Sequence, residues 1–351
     1  MEPASRPTMQ LIADQAGVSR MAVSLALRGS RKISARTTAR IREIAEAVGY
    51  RPNPMVSALM TQLRMARPSQ RPTTIAYLTA FPTRDGWRRS SAMTQILEGA
   101  TRRAEALGYQ FEEWWLRDPG LPQHRIEDIL LTRSIHGILV APLPPGGAAV
   151  QFDWAKFSGA TIGYSFGEAA LHRASGDEYG GLLLAVRALL QLGYRRLGLA
   201  LTREEDERVE RRWSAGLLVH QAEIAADQRV PILLAEGTLA GPFLDWYRTH
   251  QPDVVLSLSR ECLRLLSEAE VRVPREVGFA LLGASAAEPD VAGVDLHLPF
   301  VGAAAVELVD GQLRRNELGL PGERKTILLA AQWIPGGTVR EIAPRRRKPG
   351  A

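Results

Sequence analysis

Apolar residues near the start of the chain recur at helical spacing in three short runs. The pattern predicts a first helix from about Met9 to Ala16, with Leu11, Ile12 and Ala16 on one face and Thr8 as its N-cap. Gly17 supplies a left-handed turn. Ser19 then caps a second helix, about Arg20 to Leu27, whose Val23 and Leu27 point inward. Ser34 caps a third, about Ala35 to Val48, with Ile41, Ile44, Ala45 and Val48 in phase and Gly49 closing it. Two helices joined by a tight turn, with a third in support, make a helix-turn-helix module. Pro52 and Pro54 break the pattern, and a helix-capable run (Met55–Met65) follows. A Pro/Ser/Arg/Gln stretch then completes a linker with a helix inside it.

Beyond residue 73 the period switches repeatedly between two and 3.6. Strands are predicted at "TTIAYLTA", "YQFEEWWL", "GILVAPL", "ATIGYSF", "RRLGLAL", "PDVVLSLS" and "VGFALLGA". Helices are predicted at Thr94–Leu107, Pro122–Thr132, Gly180–Leu192, Arg260–Ala269 and Val301–Leu313. This alternation predicts parallel sheets covered by helices, in a stretch long enough for two doubly wound subdomains with a cleft between them.

Charge sharpens the division. The chain has 351 residues and a net charge of +6. Residues 1–72 carry 12 Lys and Arg against 4 Asp and Glu, leaving 32 basic and 34 acidic groups on the rest. A basic head on a neutral body is the electrostatic footprint of a nucleic-acid-binding module. A second cluster, "RRRK" (Arg345–Lys348), reads as a basic tail at 344–351 that adds non-specific phosphate attraction. With 45% apolar residues the chain has enough to bury, and its one cysteine, Cys262, excludes an internal disulfide framework and fits a reducing cytoplasm. The start, "MEPASRPTMQ", lacks the apolar run of a secretion signal, and no apolar stretch of about 18 residues predicts a membrane span. A cytoplasmic protein without a membrane partner is expected.

The run "MQLIADQAGVSRMAVSLALRGSRKISARTTARIREIAEAVGYRPNP" resembles, without gaps, the head and hinge start of the lactose-repressor family of bacterial transcription regulators. Looser similarity continues in "ILEGATRRAEALGY", "GDEYGG", "LLQLGYRRLGLAL" and "VRVPREVGFALLG". The resemblance implies an all-α head at 1–50, a hinge at 51–72 and a periplasmic-binding-protein-like core at 73–343. Within the core it implies an N-subdomain of about 73–167 and 296–323 and a C-subdomain of about 168–295 and 324–343. It further implies a homodimer on a near-palindromic double-stranded operator, modulated by a small molecule in the cleft.

Residue by residue, the resemblance places Arg20 and Met21 against base edges from the first turn of the recognition helix. An arginine there can pair bidentately with guanine, worth about 1–3 kcal/mol of discrimination, whereas Met21 offers only apolar contact or helix packing. Ser19, Ser24, Ser34 and Thr37 fall where hydroxyls meet phosphates, Arg28 and Lys32 flank the turn after the helix as backbone neutralisers, and Thr8 joins the DNA-binding set. Tyr50 and Asn53, at the junction with the hinge, complete the DNA-binding set. Leu59 holds the place of a hinge-helix leucine that wedges into the minor groove, though Met55, Leu59 and Leu63 also form a seam for pairing two hinge helices. One departure stands out: "AVSLAL" has Ala22 in place of a threonine and Leu25 in place of an arginine, so the operator is expected to differ from the common one.

In the cleft, the places where sugar-binding relatives carry polar anchors read differently. The first is Met93; Trp213 stands three residues before Gly216, with Arg212 displaced by one; and an Asn-Asp pair is replaced by Leu258-Ser259. Met93, Arg212, Trp213 and Ser259 are the candidate effector contacts. Trp213 can stack on a flat ligand or belong to the core. Losing hydrogen-bonding side chains argues against an ordinary hexose. Two alternatives stay open, an unusual effector such as a carbohydrate derivative, or a cleft that binds none.

Other classes fare worse. A solute-binding protein would share the core but not the basic head. No phosphate loop, GxSxG elbow or HExxH motif supports an enzyme, and the six histidines (His124, His136, His172, His220, His250, His297) lack metal-ligand spacing, so no cofactor or metal is expected.

Overall fold

The computed structural model describes residues 8–27, 33–50, 73–144, 150–167, 171–285 and 290–342. Arg28, Lys32, Asn53, Leu59, the hinge and the basic tail lie outside the described residues.

The head is three helices, α1 (Met9–Ala16), α2 (Arg20–Leu27) and α3 (Ala35–Ala47). They close on Ile12, Ala13, Ala16, Val23, Ala26, Ile41 and Ala45, with Leu27, Ile44, Val48 and Tyr50 half-buried around this centre. Leu11, expected on the inner face, is 39% exposed, and Ala13 takes the inward place. A helix turns by about 100° per residue, so the stripe through Ile12 and Ala16 takes in residue 13 on one side and leaves residue 11 at its edge.

The core holds two six-stranded sheets. The first contains β1 (Thr74–Thr79), β2 (Gln110–Trp115), β3 (Gly137–Val140), β4 (Ser158–Ile162) and β5 (His172–Gly176). Between these run α4 (Ser91–Ala106) and α5 (Gln123–Thr132). The chain then passes through α6 (Glu178–Gln191) into β6 (Leu197–Thr202), α7 (Arg203–Glu207), α8 (Arg212–Ala222), β7 (Leu233–Ala235) and α9 (Phe243–His250). Next come β8 (Val254–Ser257), α10 (Glu261–Glu268), β9 (Gly278–Leu282) and β10 (Gly293–Asp295) of the second sheet. Finally α11 (Leu298–Arg315) and β11 (Thr326–Leu329) return to the first sheet, and β12 (Gln332–Ile334) ends in the second. The strand orders are β11-β5-β4-β3-β1-β2 and β12-β10-β9-β8-β6-β7. All pairs are parallel except β12 with β10.

Both faces of each sheet are covered, which is why β1, β3, β4 and β9 are buried throughout. On the first sheet, Ile126 and Leu130 of α5 pack beneath Leu78, Ile138 and Val140. Ile96 and Ala100 of α4, with Val301 and Ala305 of α11, cover Ile75, Tyr77 and Leu139 on the other face. Two glycines let α4 and α11 nearly touch: a Cβ at Gly99 would lie 1.8 Å from the Pro299 carbonyl oxygen, and one at Gly302 2.1 Å from that of Ile96. The second sheet is sandwiched in the same way, by α6 and α8 on one face and α9 and α10 on the other.

Two expected subdomain boundaries need correction. β5 and β11 pair with each other and belong to the first sheet. The chain therefore leaves that sheet after Gly176 rather than near residue 167, and leaves it again after Leu329 rather than near 323. The reason is composition: "HRASG" carries a basic residue and small polar ones, so nothing in it shows a buried strand until its neighbours are known.

Candidate DNA-binding head and interdomain cleft

Each head helix begins with a hydroxyl cap. Thr8 Oγ1 accepts from the Leu11 N–H at 3.2 Å, Ser19 Oγ from Ala22 at 3.1 Å and Ser34 Oγ from Thr37 at 3.1 Å. Ser34 Oγ also pairs with Thr37 Oγ1 at 2.8 Å. Gly17, at φ 66°, closes α1 with its N–H on the Ala13 and Asp14 carbonyls. That left-handed turn aims the start of α2 outward, and Ser19, Arg20 and Met21 are exposed there, Met21 at 73%. Val23 and Ala26 anchor the opposite face of α2, with Ser24 half-buried. Met21 thus takes no part in the core of the head. Tyr50 differs, since its backbone N–H bonds to Ala45 and its ring packs against the head core. Exposed Arg36, Arg40 and Arg42 on α3 add basicity that the sequence reading did not single out.

The cleft residues tell a different story from the one expected. Trp213 is 1% exposed and sits among Leu182, Leu199, Leu217 and Leu256, so its ring belongs to the core. Met93 is buried in α4. Ser259 Oγ accepts from the Glu261 N–H, and the Ser259 N–H donates to Ser257 Oγ, so this serine shapes the turn before α10. Of the four candidates, Arg212 alone joins a polar group spanning the two sheets.

That group is made mostly of residues the sequence reading missed. Tyr164 follows β4 through Gly163, and its ring carries the Arg212 guanidinium carbon at 4.2 Å and that of Arg173 at 4.4 Å. Arg173 lies in β5, opposite Thr161, and is 2% exposed. Glu210 serves both arginines: Arg212 Nη2 donates to it at 3.2 Å, and Arg173 Nη1 lies 3.9 Å away. Arg208, in the same α7–α8 loop, reaches across to the Leu143 carbonyl at 3.4 Å. Tyr164, Arg173 and Leu143 come from the first sheet and Arg208, Glu210 and Arg212 from the second, so the two halves are latched by arginines.

Polar atoms here are left over. Tyr164 Oη, Arg173 Nε, Arg212 Nε, Glu178 Oε2 and Asp206 Oδ2 are buried without a hydrogen-bond partner. Glu178, the first residue of α6, keeps one bond from Ser175 Oγ at 3.1 Å. Burial pushes its carboxyl up to about 7, against the opposing pull of its own backbone N–H, of Ser175 and of Arg212. Burial likewise raises the Tyr164 hydroxyl, with Arg212 pulling it down. Arginine inside a strand was the available signal, since such a residue is rarely buried without a charged or polar counterpart.

Among the described residues no helix is long and apolar enough to cross a membrane, and no group of three or more His, Cys, Asp or Glu could hold a metal ion. Cys262 is buried, with its thiol pushed up to about 12 by that burial.

The model of bacterial regulatory proteins of the lacI family matches residues 8–53, and that of the periplasmic binding protein-like domain matches residues 186–339. No curated protein sequence matches the chain. Among solved structures, a transcriptional regulator CelR–cellobiose complex is 19% identical, with 96% of this chain and 99% of that one covered at a TM-score of 0.57. The lac repressor dimer bound to operator and the anti-inducer ONPF is 17% identical over 95% and 99%, at 0.54. A transcription regulator-like protein from Staphylococcus haemolyticus is 15% identical over 78% and 100%, at 0.59. At these identities the structures share the fold, while the match at the head carries the DNA-binding module. Residues 8–53 thus carry the head of the lacI family of bacterial regulatory proteins, and the chain is a DNA-binding transcriptional regulator.

Proposed function

We propose that the protein is a cytoplasmic repressor that binds a near-palindromic operator as a homodimer and responds to a small molecule, a carbohydrate derivative, in the cleft between its two sheets. The carrying observation is the start of α2, where Ser19, Arg20 and Met21 stand exposed on a helix fixed by Val23 and Ala26. In this reading residues 1–50 read the major groove, 51–72 form the hinge and the core pairs two copies. The tail at 344–351 adds non-specific attraction. The protein acts by binding and not by catalysis. Arg20 pairs with a base edge, the capping hydroxyls and the exposed α3 arginines meet phosphates, and Leu59 wedges at the centre of the site. A hinge helix of about 11 residues is marginal alone in water, so it folds when dimer and operator come together, and the cleft acts on that step. A regulator solved with cellobiose and the lac repressor solved with operator and the anti-inducer ONPF support this division of labour.

Selection of bound sequences from a random DNA pool, with a salt titration of the winner, tests the reading. A two-fold-symmetric site is expected, with affinity falling steeply as salt rises. Leu59→Ala should weaken that site far more than bulk DNA. Enrichment of no sequence by the full-length protein, with or without metabolites, would overturn the proposal.

A further inference from the structure

We propose that the ligand of the cleft is a small organic anion, its carboxylate or phosphate held by Arg173 and Arg212 where the Glu210 carboxylate stands now. The inference rests on the reading of the core as an effector-binding unit and names the chemistry of that effector.

The two guanidiniums are poorly served. Each offers five N–H donors in a planar fork. Among the described residues, Arg173 is 2% exposed, its Nε is buried without a partner, and its one carboxylate neighbour, Glu210, stands 3.9 Å off. Arg212 has one bond to Glu210, and its Nε too is buried and unpartnered. The Tyr164 hydroxyl between them is a third unsatisfied group. A buried cation is costly unless it is paired and hydrogen-bonded, so this arrangement is incomplete.

The charges around the pair point one way. Facing Arg173, Tyr164 and Arg212 are Arg324, Glu210 and Glu178. Glu178 is pushed up to about 7 and so supplies only part of a negative charge near neutral pH. Among the described residues Glu210 is therefore the main counter-charge for three arginines. A neutral polyol would satisfy donors but leave that excess of charge in place. A carboxylate or phosphate satisfies both, and its geometry matches the guanidinium fork.

Glu210 is also suited to leave. Its side chain is 53% exposed, so it can swing into water at little cost. It stands on a strained segment, with Glu210 at φ 55° and Arg211 at φ 59°, left-handed values uncommon outside glycine. Because Arg173 belongs to the first sheet and Arg212 to the second, an anion on both would replace the present latch with a stronger one.

The test is calorimetric titration of the full-length protein with gluconate, galacturonate, glucose 6-phosphate, inorganic phosphate and neutral glucose. At least one of the anions is expected to bind, with glucose about 100-fold weaker or undetectable, in keeping with two lost charge-assisted contacts. The sugar acids against glucose 6-phosphate tell carboxylate from phosphate. Glu210→Gln removes the internal competitor and should tighten that anion about tenfold, while Arg212→Gln should weaken it by a similar factor or more. Because Glu210 is half exposed, its variant folds as the parent does.

Glucose binding as tightly as the anions would overturn the inference. So would anion affinity unmoved by both substitutions, which places the anion on the basic head, or no anion binding to the parent and to Glu210→Gln. DNA selection with the same preparations separates the two readings. An operator recovered alongside failed anion arms leaves the regulator standing and removes this inference; no operator removes the regulator itself.

Discussion

Tyr164 and Arg212 meet between the two sheets, the guanidinium carbon 4.2 Å from the ring centroid. Tyr164 follows the end of β4 and Arg212 starts α8, so this cation–π contact joins the Arg208–Leu143 hydrogen bond and the Arg173–Glu210 pair in tying one sheet to the other. Arg173 occupies a second approach to the same ring at 4.4 Å. The halves of the core are thus held by one ring and the two arginines stacked on it.

Tyr164→Leu keeps apolar bulk and removes the ring face. The unfolding free energy should fall by about 1–2 kcal/mol, the worth of partly desolvated cation–π contacts. Small-angle scattering of the unliganded protein should show a wider core. Unchanged scattering and stability together would show that the stacked arginines do not latch the halves.

Arg20→Ala should relax one base position in each half-site, costing about 1–3 kcal/mol against the preferred base. The readout is a comparison of selected site logos for parent and variant. A uniform loss over all sequences, with a shallower salt dependence, would instead make Arg20 a phosphate contact.

Gly302→Ala places a Cβ 2.1 Å from the Ile96 carbonyl oxygen. Backbone cannot yield as a flexible side chain does, so α4 and α11 must separate. Denaturant unfolding should show a loss of about 1–3 kcal/mol or more. A change within about 0.5 kcal/mol, typical of surface sites, would contradict the close approach.

Glu178 sets a pH dependence. Its folded carboxyl titrates at about 7, above the ordinary value of 4.5, with burial as the main cause. Between those values the unfolded chain loses the proton and the folded one keeps it, so stability falls as pH rises through that window. Below it the residue costs nothing; above it the full penalty applies, up to about 3 kcal/mol. Glu178→Gln should match the parent in thermal unfolding at pH 4.5 and exceed it at pH 8. Equal curves at both would mean the carboxyl ionises freely in the folded state.

The head was legible almost to the residue, because helix caps and the spacing of Ile12, Val23 and Ile41 are local signals. β1, β3, β6, β8 and β9 were legible from their apolar runs. α8 was not, since the exposed Leu218 and Val219 blur the stripe through Trp213 and Leu217, and α9 is only eight residues long. The short strands β5, β7, β10, β11 and β12 were missed for want of any run long enough to show a period.

By itself, then, the order of residues determined a capped three-helix head, its excess of positive charge and an alternating α/β body, since each follows from neighbours a few positions apart. Only tertiary structure decided which sheet owns β5 and β11, that Trp213 faces a core, and that Arg173, Glu210 and Arg212 surround one tyrosine. Those relations join residues separated by tens of positions and by a crossover between sheets, and burial and charge pairing at such range exist only once the chain has closed upon itself.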